Sequence, residues 1–173
     1  MAIAITLDEF LSSKNIHYDL LKHRSTVTAY NSAIASHLPT DKVSKAIVLE
    51  DDDSKLLMAV IPASHRLAMS DVNRIQGKNY RLVMEERLNT LFSDCEKGAT
   101  PAIAQAYGME MLLDDSLLDC DKVYVEAGDH QHLLAINHDD YATLIKDSAH
   151  GAISGVAVGM PKRSGDMDTE WTV

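Results

Sequence analysis

Two apolar runs on either side of a short acidic loop constrain the fold of this chain more than any other feature. The runs are Ala46 to Leu49 and Leu56 to Ile61, and the loop between them contains the acidic residues 50–53. Strand-length apolar runs joined by a loop of about five residues predict a β-hairpin. The acidic loop is typical of a solvated turn. At least one antiparallel strand pair is therefore expected.

Helical and strand patterns alternate along the rest of the chain. Helices are predicted at about 7–14, 28–38, 70–77, 85–92 and 138–146, and further strands at 16–22, 80–84, 109–113, 123–127 and 133–137. Because hairpins dominate this order, we expect an α/β fold of the α+β type. Its sheet should be mixed and mostly antiparallel, with flanking helices.

Two helix starts carry capping signals. Thr6-Leu-Asp-Glu9 has the spacing of a capping box, which predicts that the Thr6 side chain begins the first helix. Ser70 is the predicted cap of a later helix, and Gly77 is its predicted stop.

Length and composition predict one domain with a packed core. The chain has 173 residues, of which 46% are apolar, and this length favours a single domain. We place that domain at 1–150. The remaining segment, 151–173, is rich in Gly, Ser and charge without a clear period, so we expect it to be a flexible C-terminal tail.

The sequence carries no membrane or export signal. No apolar run approaches the length of about 18 residues needed to span a bilayer. The start, MAIAITLDEF, lacks the basic region of a signal peptide. Cys95 and Cys120 stand apart without metal-ligand spacing. A cytoplasmic protein is expected, with a monomer as the default state.

The charge distribution argues against a general nucleic-acid binder. The net charge is −10, whereas such proteins are usually basic. Residues 1–50 hold five basic and five acidic side chains, but residues 101–150 hold two and ten. Any contact with nucleic acid is therefore expected to be local, on the first half of the chain, and sensitive to salt.

Lys45 is the first candidate site residue, since it opens an otherwise apolar strand. One interpretation is structural: the stem covers apolar surface while the amine reaches water. The other is functional: the ammonium stands at a pocket rim and holds a phosphate. The sequence around Lys45 leaves both open.

Two glycine-containing bends are further candidates. The segment Gly98-Ala99-Thr100-Pro101 can present backbone groups closely to a ligand, although most such segments are ordinary loops. Gly128-Asp129 can turn a hairpin, with His130 just beyond it. His130 could stiffen the turn by a local hydrogen bond, or it could pair with His132 at a metal. A catalytic zinc needs three protein ligands, and no further ligand pattern accompanies these two.

The ordered set of motifs VSKAIVLE, CEKGATPAIAQAYGM and YVEAGDHQHLLAIN resembles the YbaK-type family. This family includes the editing domain of prolyl-tRNA synthetases and free-standing relatives, and the likeness covers about residues 20 to 148. The resemblance implies a mixed α/β domain with a curved, mostly antiparallel sheet. It also implies a trans-editing hydrolase that removes a small amino acid, such as alanine or cysteine, from mischarged tRNA for proline.

The resemblance also implies roles for individual residues. Lys45, Gly98 and His130 would be catalytic: Lys45 holds the phosphate or ribose region of the terminal adenosine, and the glycine loop positions the ester and a water. Ala99, Thr100, Pro101, Gly128 and Asp129 would bind substrate. The neighbouring ribose hydroxyl would help to activate the water, so that no metal and no cofactor are expected.

Two departures from the family pattern bear on specificity. Ala46 follows the lysine where some members have a polar residue, and GATPAI carries a small residue after the proline where many have a bulkier one. The partner implied is the acceptor end of mischarged tRNA, contacted by Lys45 and cations such as Lys22, Arg24 or Lys42. The need for an aminoacyl-tRNA synthetase stays open.

Two other functional classes remain at this stage. The same pocket could bind a tRNA end, a nucleotide or an amino acid without turnover. A metal hydrolase built on His130, His132 and His138 is the third class.

Overall fold

The computed structural model describes residues 2–157, which form five α-helices and ten strands. The helices are α1 (Ile5–Ser13), α2 (Ala29–Ala35), α3 (Met69–Gln76), α4 (Glu85–Leu91) and α5 (His138–Ile145). The strands are β1 (Asp19–Lys22), β2 (Ser44–Asp51), β3 (Leu56–Pro62), β4 (His65–Leu67), β5 (Tyr80–Leu82), β6 (Glu110–Asp114), β7 (Lys122–Glu126), β8 (His132–Asn137), β9 (Ala149–Gly151) and β10 (Ser154–Val156). Over these residues, no helix is long and apolar enough to cross a membrane.

The strands form a five-stranded sheet, a three-stranded sheet and a separate pair. Their orders are β5-β2-β3-β6-β9, β1-β8-β7 and β10-β4. Strand β6 runs parallel to both β3 and β9, and the other pairings between named strands are antiparallel. The predicted fold class, α/β with a mixed and mostly antiparallel sheet flanked by helices, is confirmed.

The predicted hairpin forms the centre of the larger sheet. Strands β2 and β3 pair in antiparallel register, with Lys45 opposite Ile61. Ala46 and Val48 pack into one buried cluster, whereas Ile47 belongs to another. Alternate side chains of a strand point to opposite faces, so both faces of this hairpin are covered. This explains why its strands are nearly continuous apolar runs.

The start of β2 also touches the smaller sheet. The Tyr124 N–H of β7 donates to the Lys42 carbonyl at 2.9 Å, and the Ser44 hydroxyl donates to the Tyr124 carbonyl at 3.0 Å. These contacts hold the beginning of β2 against the middle of β7, shortly before the turn that follows that strand.

The predicted caps of two helices are wrong. Helix α1 begins after Ala4 without a side-chain cap, and the Thr6 N–H donates to the Asp94 carboxylate at 2.8 Å. A distant acidic side chain therefore occupies the place that the capping box would fill. Helix α3 begins after Ala68, again without a side-chain cap, rather than at Ser70. Gly77 ends it as predicted, with φ of +64°.

The predicted flexible tail does not start at 151. Strand β9 pairs with β6, and β10 pairs with β4. Ile153 is fully buried, and the buried Asp114 carboxylate accepts hydrogen bonds from the Ile153 N–H and the Ser154 hydroxyl. Residues 151–157 are therefore held by pairing and burial that a local composition cannot reveal. The rest of the predicted tail, 158–173, lies outside the described residues.

Candidate active site

A small hollow lies where the start of β2, the loop at 98–101 and the β7–β8 turn meet. Its free volume is ≈ 30 Å³, which is on the order of one or two water molecules. Lys45, Gly98 and His130, the three predicted catalytic residues, all line it, as does Thr100. The complete lining is Val27, Thr28, Ala29, Ser44, Lys45, Ala46, Gly98, Thr100, Glu126 and His130.

The Lys45 amine is partly withdrawn from water. Its Nζ donates a hydrogen bond to the His65 carbonyl at 3.0 Å. Burial lowers the pKa of Lys45 to about 8, and the nearby charge of Arg66 contributes in the same direction. Within residues 2–157 no carboxylate forms an ion pair with this amine, so an anionic ligand in the hollow would stabilise its charged form.

The β7–β8 turn has an unusual backbone. Gly128 has φ of +110° and His130 has φ of +58°, and the second value is uncommon for a residue with a side chain. A Cβ atom on Gly128 would lie 2.9 Å from the Ala4 Cβ and 3.2 Å from the Cys95 Sγ. The turn therefore needs glycine at 128 for its conformation and for the close approach of α1 and Cys95.

Glu126 holds this turn from inside. Its Oε1 accepts hydrogen bonds from the backbone N–H groups of Gly128, Asp129 and His130, at 3.1, 3.3 and 3.2 Å. Burial raises the pKa of Glu126, although the three N–H groups and His130 act in the opposite direction. A buried carboxylate with three donors explains how a non-glycine residue at 130 keeps a positive φ.

The His130 ring joins the turn to the glycine loop. Its Nε2 lies 2.7 Å from the Lys97 carbonyl, and because a carbonyl only accepts, Nε2 carries the proton in this contact. The ring also lies over Gly98, whose φ is +84°. The Glu96 N–H donates to the Gly128 carbonyl at 2.8 Å. These contacts hold the two bends together as one wall of the hollow.

Four of the predicted substrate-binding residues do not line the hollow. Ala99 and Pro101 belong to the loop at 98–101, but both are buried. Gly128 shapes the turn and is not among the residues that line the hollow. The Asp129 carboxylate is used within the turn, where it accepts from the Gln131 and His132 N–H groups and contacts the His132 ring at 2.6 Å. The role of these four residues in substrate binding stays a prediction. Any effect on the substrate would come from the backbone shape that they give to the loop and the turn.

The metal-hydrolase hypothesis has no support from the positions of its ligands. His130 contacts the Lys97 carbonyl, His132 contacts Asp129, and His138 contacts the Cys120 carbonyl. Within residues 2–157, no three His, Cys, Asp or Glu side chains gather as a metal site would require.

Sequence reasoning missed Glu126 and the start of α2 as parts of this site. Thr28 and Ala29 enter the lining at the point where α2 begins, with Thr28 as the helix cap. The available signal for Glu126 was an acidic residue at the end of the apolar strand KVYVE, just before the turn. Such a residue is equally typical of a solvated strand end, so the pattern alone did not single it out.

A larger cavity of ≈ 470 Å³ lies elsewhere, between α1, α5 and the edge formed by β6 and β9. Phe10, Gln105, Met109 and Lys146 are among its lining residues. None of the predicted site residues faces it, so volume alone does not identify the site that the sequence motifs define.

Solved structures share this fold at low sequence identity. A hypothetical protein, APE2540, has a TM-score of 0.74 at 20% identity, with 87% of this chain and 99% of that chain covered. A candidate trans-editing enzyme for prolyl-tRNA synthetase has a TM-score of 0.75 at 17% identity, covering 88% and 96%. A protein from Marinobacter aquaeolei VT8 named for signal transduction has a TM-score of 0.71 at 16% identity, covering 87% of this chain and 30% of that one.

These likenesses define the fold class, and a family match identifies the chain further. No curated protein matches the sequence significantly. The family model described as the aminoacyl-tRNA editing domain matches residues 23–144. The chain therefore belongs to the aminoacyl-tRNA editing domain family, which confirms the resemblance drawn from its motifs.

Proposed function

We propose that this protein is a trans-editing hydrolase that deacylates tRNA carrying the wrong small amino acid, such as alanine or cysteine on tRNA for proline. The observation that carries the proposal is the shared hollow: Lys45, Gly98 and His130, which are separate in sequence, line one small cavity. Membership of the editing-domain family supplies the reaction class.

In this proposal Lys45 binds the phosphate or ribose region of the terminal adenosine. Its amine lies at the hollow with a pKa lowered to about 8 by burial and by Arg66. A phosphate would supply a counter-charge to this amine. The acidic chain as a whole then needs to receive only the acceptor end, which is consistent with a weak, salt-sensitive complex.

Selectivity in this proposal comes from exclusion by size. The hollow has a free volume of ≈ 30 Å³, and its lining contains small residues such as Ala29, Ala46 and Gly98. A methyl-sized side chain fits such a space, whereas a proline ring does not. Steric exclusion must do the sorting, since each missing methylene changes binding by only about 1–3 kcal/mol in a site that accepts both ligands.

The reaction in this proposal is attack of a positioned water on the aminoacyl ester. The loop at 98–101, which contributes Gly98 and Thr100 to the hollow, presents backbone dipoles to the developing oxyanion, an effect that is large without a protein nucleophile. The family resemblance implies that the neighbouring ribose hydroxyl helps to activate the water.

A panel of aminoacyl-tRNAs tests the proposal. Each substrate is incubated with the purified protein, and the ester that remains is counted against a sample without protein. We expect loss of small mischarged amino acids from tRNA for proline, with correctly charged prolyl-tRNA left intact. Binding of the tRNA end with no loss of ester from any member would instead support the binding-module alternative.

Replacing His130 with alanine should lower the rate or shift the amino-acid preference. The ring links Lys97 to the turn, so its loss loosens the wall that limits the hollow. We expect a larger relative decrease for the smallest substrate, measured as kcat/KM for two amino acids on the same tRNA. His17→Ala is a matched control, since that side chain is 86% exposed. An unchanged rate and preference for His130→Ala would remove the ring from the specificity wall.

A further inference from the structure

The cavity of ≈ 470 Å³ between α1, α5 and the edge formed by β6 and β9 takes no part in the proposed reaction. Among residues 2–157, its lining and the lining of the hollow at Lys45 have no residue in common. Its volume lies within the range of about 300–1,000 Å³ that is typical of small-molecule sites. The cavity can therefore hold a ligand that is too large for the hollow.

The apolar part of the lining belongs to the packed core. Met109, Met111 and Leu144 line the cavity and are only 7%, 5% and 8% exposed. Phe10 on α1 also lines the cavity and packs against the same buried cluster. Water in contact with this surface would be released by an apolar group of a ligand, which favours binding of such a group.

Gln105 fixes one wall of the cavity. Its Nε2 donates hydrogen bonds to the Ser148 hydroxyl at 2.9 Å and to the Leu144 carbonyl at 3.3 Å. Gln105 lies in the 3₁₀ turn Ala104–Tyr107, whereas its two acceptors lie at the end of α5 and just after it. All three residues line the cavity. The wall is therefore preformed, as is usual for small-molecule sites.

Four charged side chains of both signs complete the lining. Lys14 and Lys146 are cations, and Glu110 and Asp147 are anions. All four are exposed, and within the part of the chain that the structure describes none of them forms an ion pair. The Lys14 Nζ lies 5.8 Å from the centroid of the Phe10 ring, so one cation stands beside the apolar part of the lining. The cavity thus offers two positive and two negative groups to a ligand.

We propose that this cavity binds a free amino acid with a large apolar side chain, such as leucine, methionine or phenylalanine. The two lysines bind the carboxylate of the ligand, the two acidic residues bind its ammonium, and its side chain lies against the apolar part of the lining. A zwitterion matches a lining that carries both signs, whereas a nucleotide or a nucleic acid would meet two carboxylates.

Methyl NMR of the intact protein tests this inference. The methionine methyl groups are labelled with carbon-13, and L-leucine, L-methionine or L-phenylalanine is added without tRNA. We expect saturable shifts of the Met109 and Met111 methyl signals, which are assigned with the variants M109L and M111L. The absence of a saturable shift at both methyls up to about 10 mM of each amino acid, a tenfold excess over a millimolar dissociation constant, would overturn the inference.

Ligand analogues test the two charges on the wild-type protein. N-acetyl-L-leucine lacks the ammonium and L-leucinamide lacks the carboxylate, but both keep the side chain. Each should bind at least about tenfold more weakly than L-leucine, because it leaves one pair of charged side chains without a partner. Adenosine should also bind more weakly than L-leucine. Equal or tighter binding by any of these three compounds would contradict the proposal, and no variant needs to fold for this comparison.

The double variant Lys14→Ala/Lys146→Ala tests the carboxylate subsite. We expect L-leucine to bind about tenfold more weakly, whereas binding of L-leucinamide should not weaken further. Both lysines are exposed, so the melting temperature should stay unchanged. Lys55→Ala is the matched control, since Lys55 is equally exposed and lines neither cavity. An unchanged affinity of the double variant for L-leucine would refute the assignment of the lysines.

This inference is independent of the proposed function. Amino-acid binding is read at the methyl signals without any aminoacyl ester, so a failure to deacylate tRNA would leave the inference standing. Conversely, the absence of amino-acid binding at this cavity would not affect the proposed reaction at Lys45.

Discussion

Replacing Lys45 with alanine is expected to reduce deacylation at least about 100-fold, because the variant loses a fixed charge at the hollow. The fold should survive. Burial lowers the pKa of Lys45 to about 8, which means that the folded state disfavours the ammonium. Among residues 2–157 no carboxylate pairs with this amine, so its removal leaves no described side chain with an unpaired charge. The measurement is single-turnover hydrolysis of a mischarged tRNA, together with a thermal melt.

Two further variants sharpen the Lys45 test. Lys45→Met keeps the apolar stem and removes only the charge, so it should be as inactive as Lys45→Ala and melt no lower than wild type. Lys55→Ala is the matched control, since Lys55 is exposed at the other end of the β2–β3 hairpin. Full turnover by Lys45→Ala would remove this residue from the site.

The lowered pKa of Lys45 also sets the direction of a pH effect. The charged form is lost as pH rises through about 8, well below the pH at which an ordinary lysine deprotonates. If the ammonium binds substrate, kcat/KM, which reports the free enzyme, should fall on the alkaline side of that value. This decrease in kcat/KM at alkaline pH should be absent from the residual activity of Lys45→Met.

Gly128→Ala is expected to lower the free energy of unfolding by about 2–5 kcal/mol. The new Cβ would lie 2.9 Å from the Ala4 Cβ, and the backbone at 128 has φ of +110°. Neither the strain nor the clash can be relieved without moving α1 or the turn. The measurement is denaturant unfolding followed by two optical probes, compared at a constant m-value.

Gly108→Ala is the matched control for the glycine test. Gly108 also has a positive φ, +68°, but a Cβ there meets nothing within 4 Å. Its substitution should cost only the backbone term, about 1–2 kcal/mol. Equal destabilisation by the two variants would show that the contact with Ala4 is unimportant, and that the turn at 128 tolerates a side chain.

Local pattern was sufficient for most elements of the fold. The β2–β3 hairpin, the helix ending at Gly77 and the turn at Gly128 follow from runs, periodicity and glycine positions that lie within a few residues of one another. The capping box failed because its competitor, Asp94, is 88 residues away. The tail boundary failed for the same kind of reason, since Ile153 and Ser154 are held by Asp114 from β6.

For the candidate site, too, local patterns predicted some features and long-range contacts decided the others. The sequence by itself determined the family, the residue types and two rigid bends, because each motif is a short local pattern with its own backbone requirement. Only the tertiary structure decided that Lys45, Gly98 and His130 share one hollow, and that Glu126 is among its lining residues. Their meeting depends on β2 touching β7 and on the Lys97 carbonyl receiving the His130 ring, which are long-range contacts that no local pattern encodes.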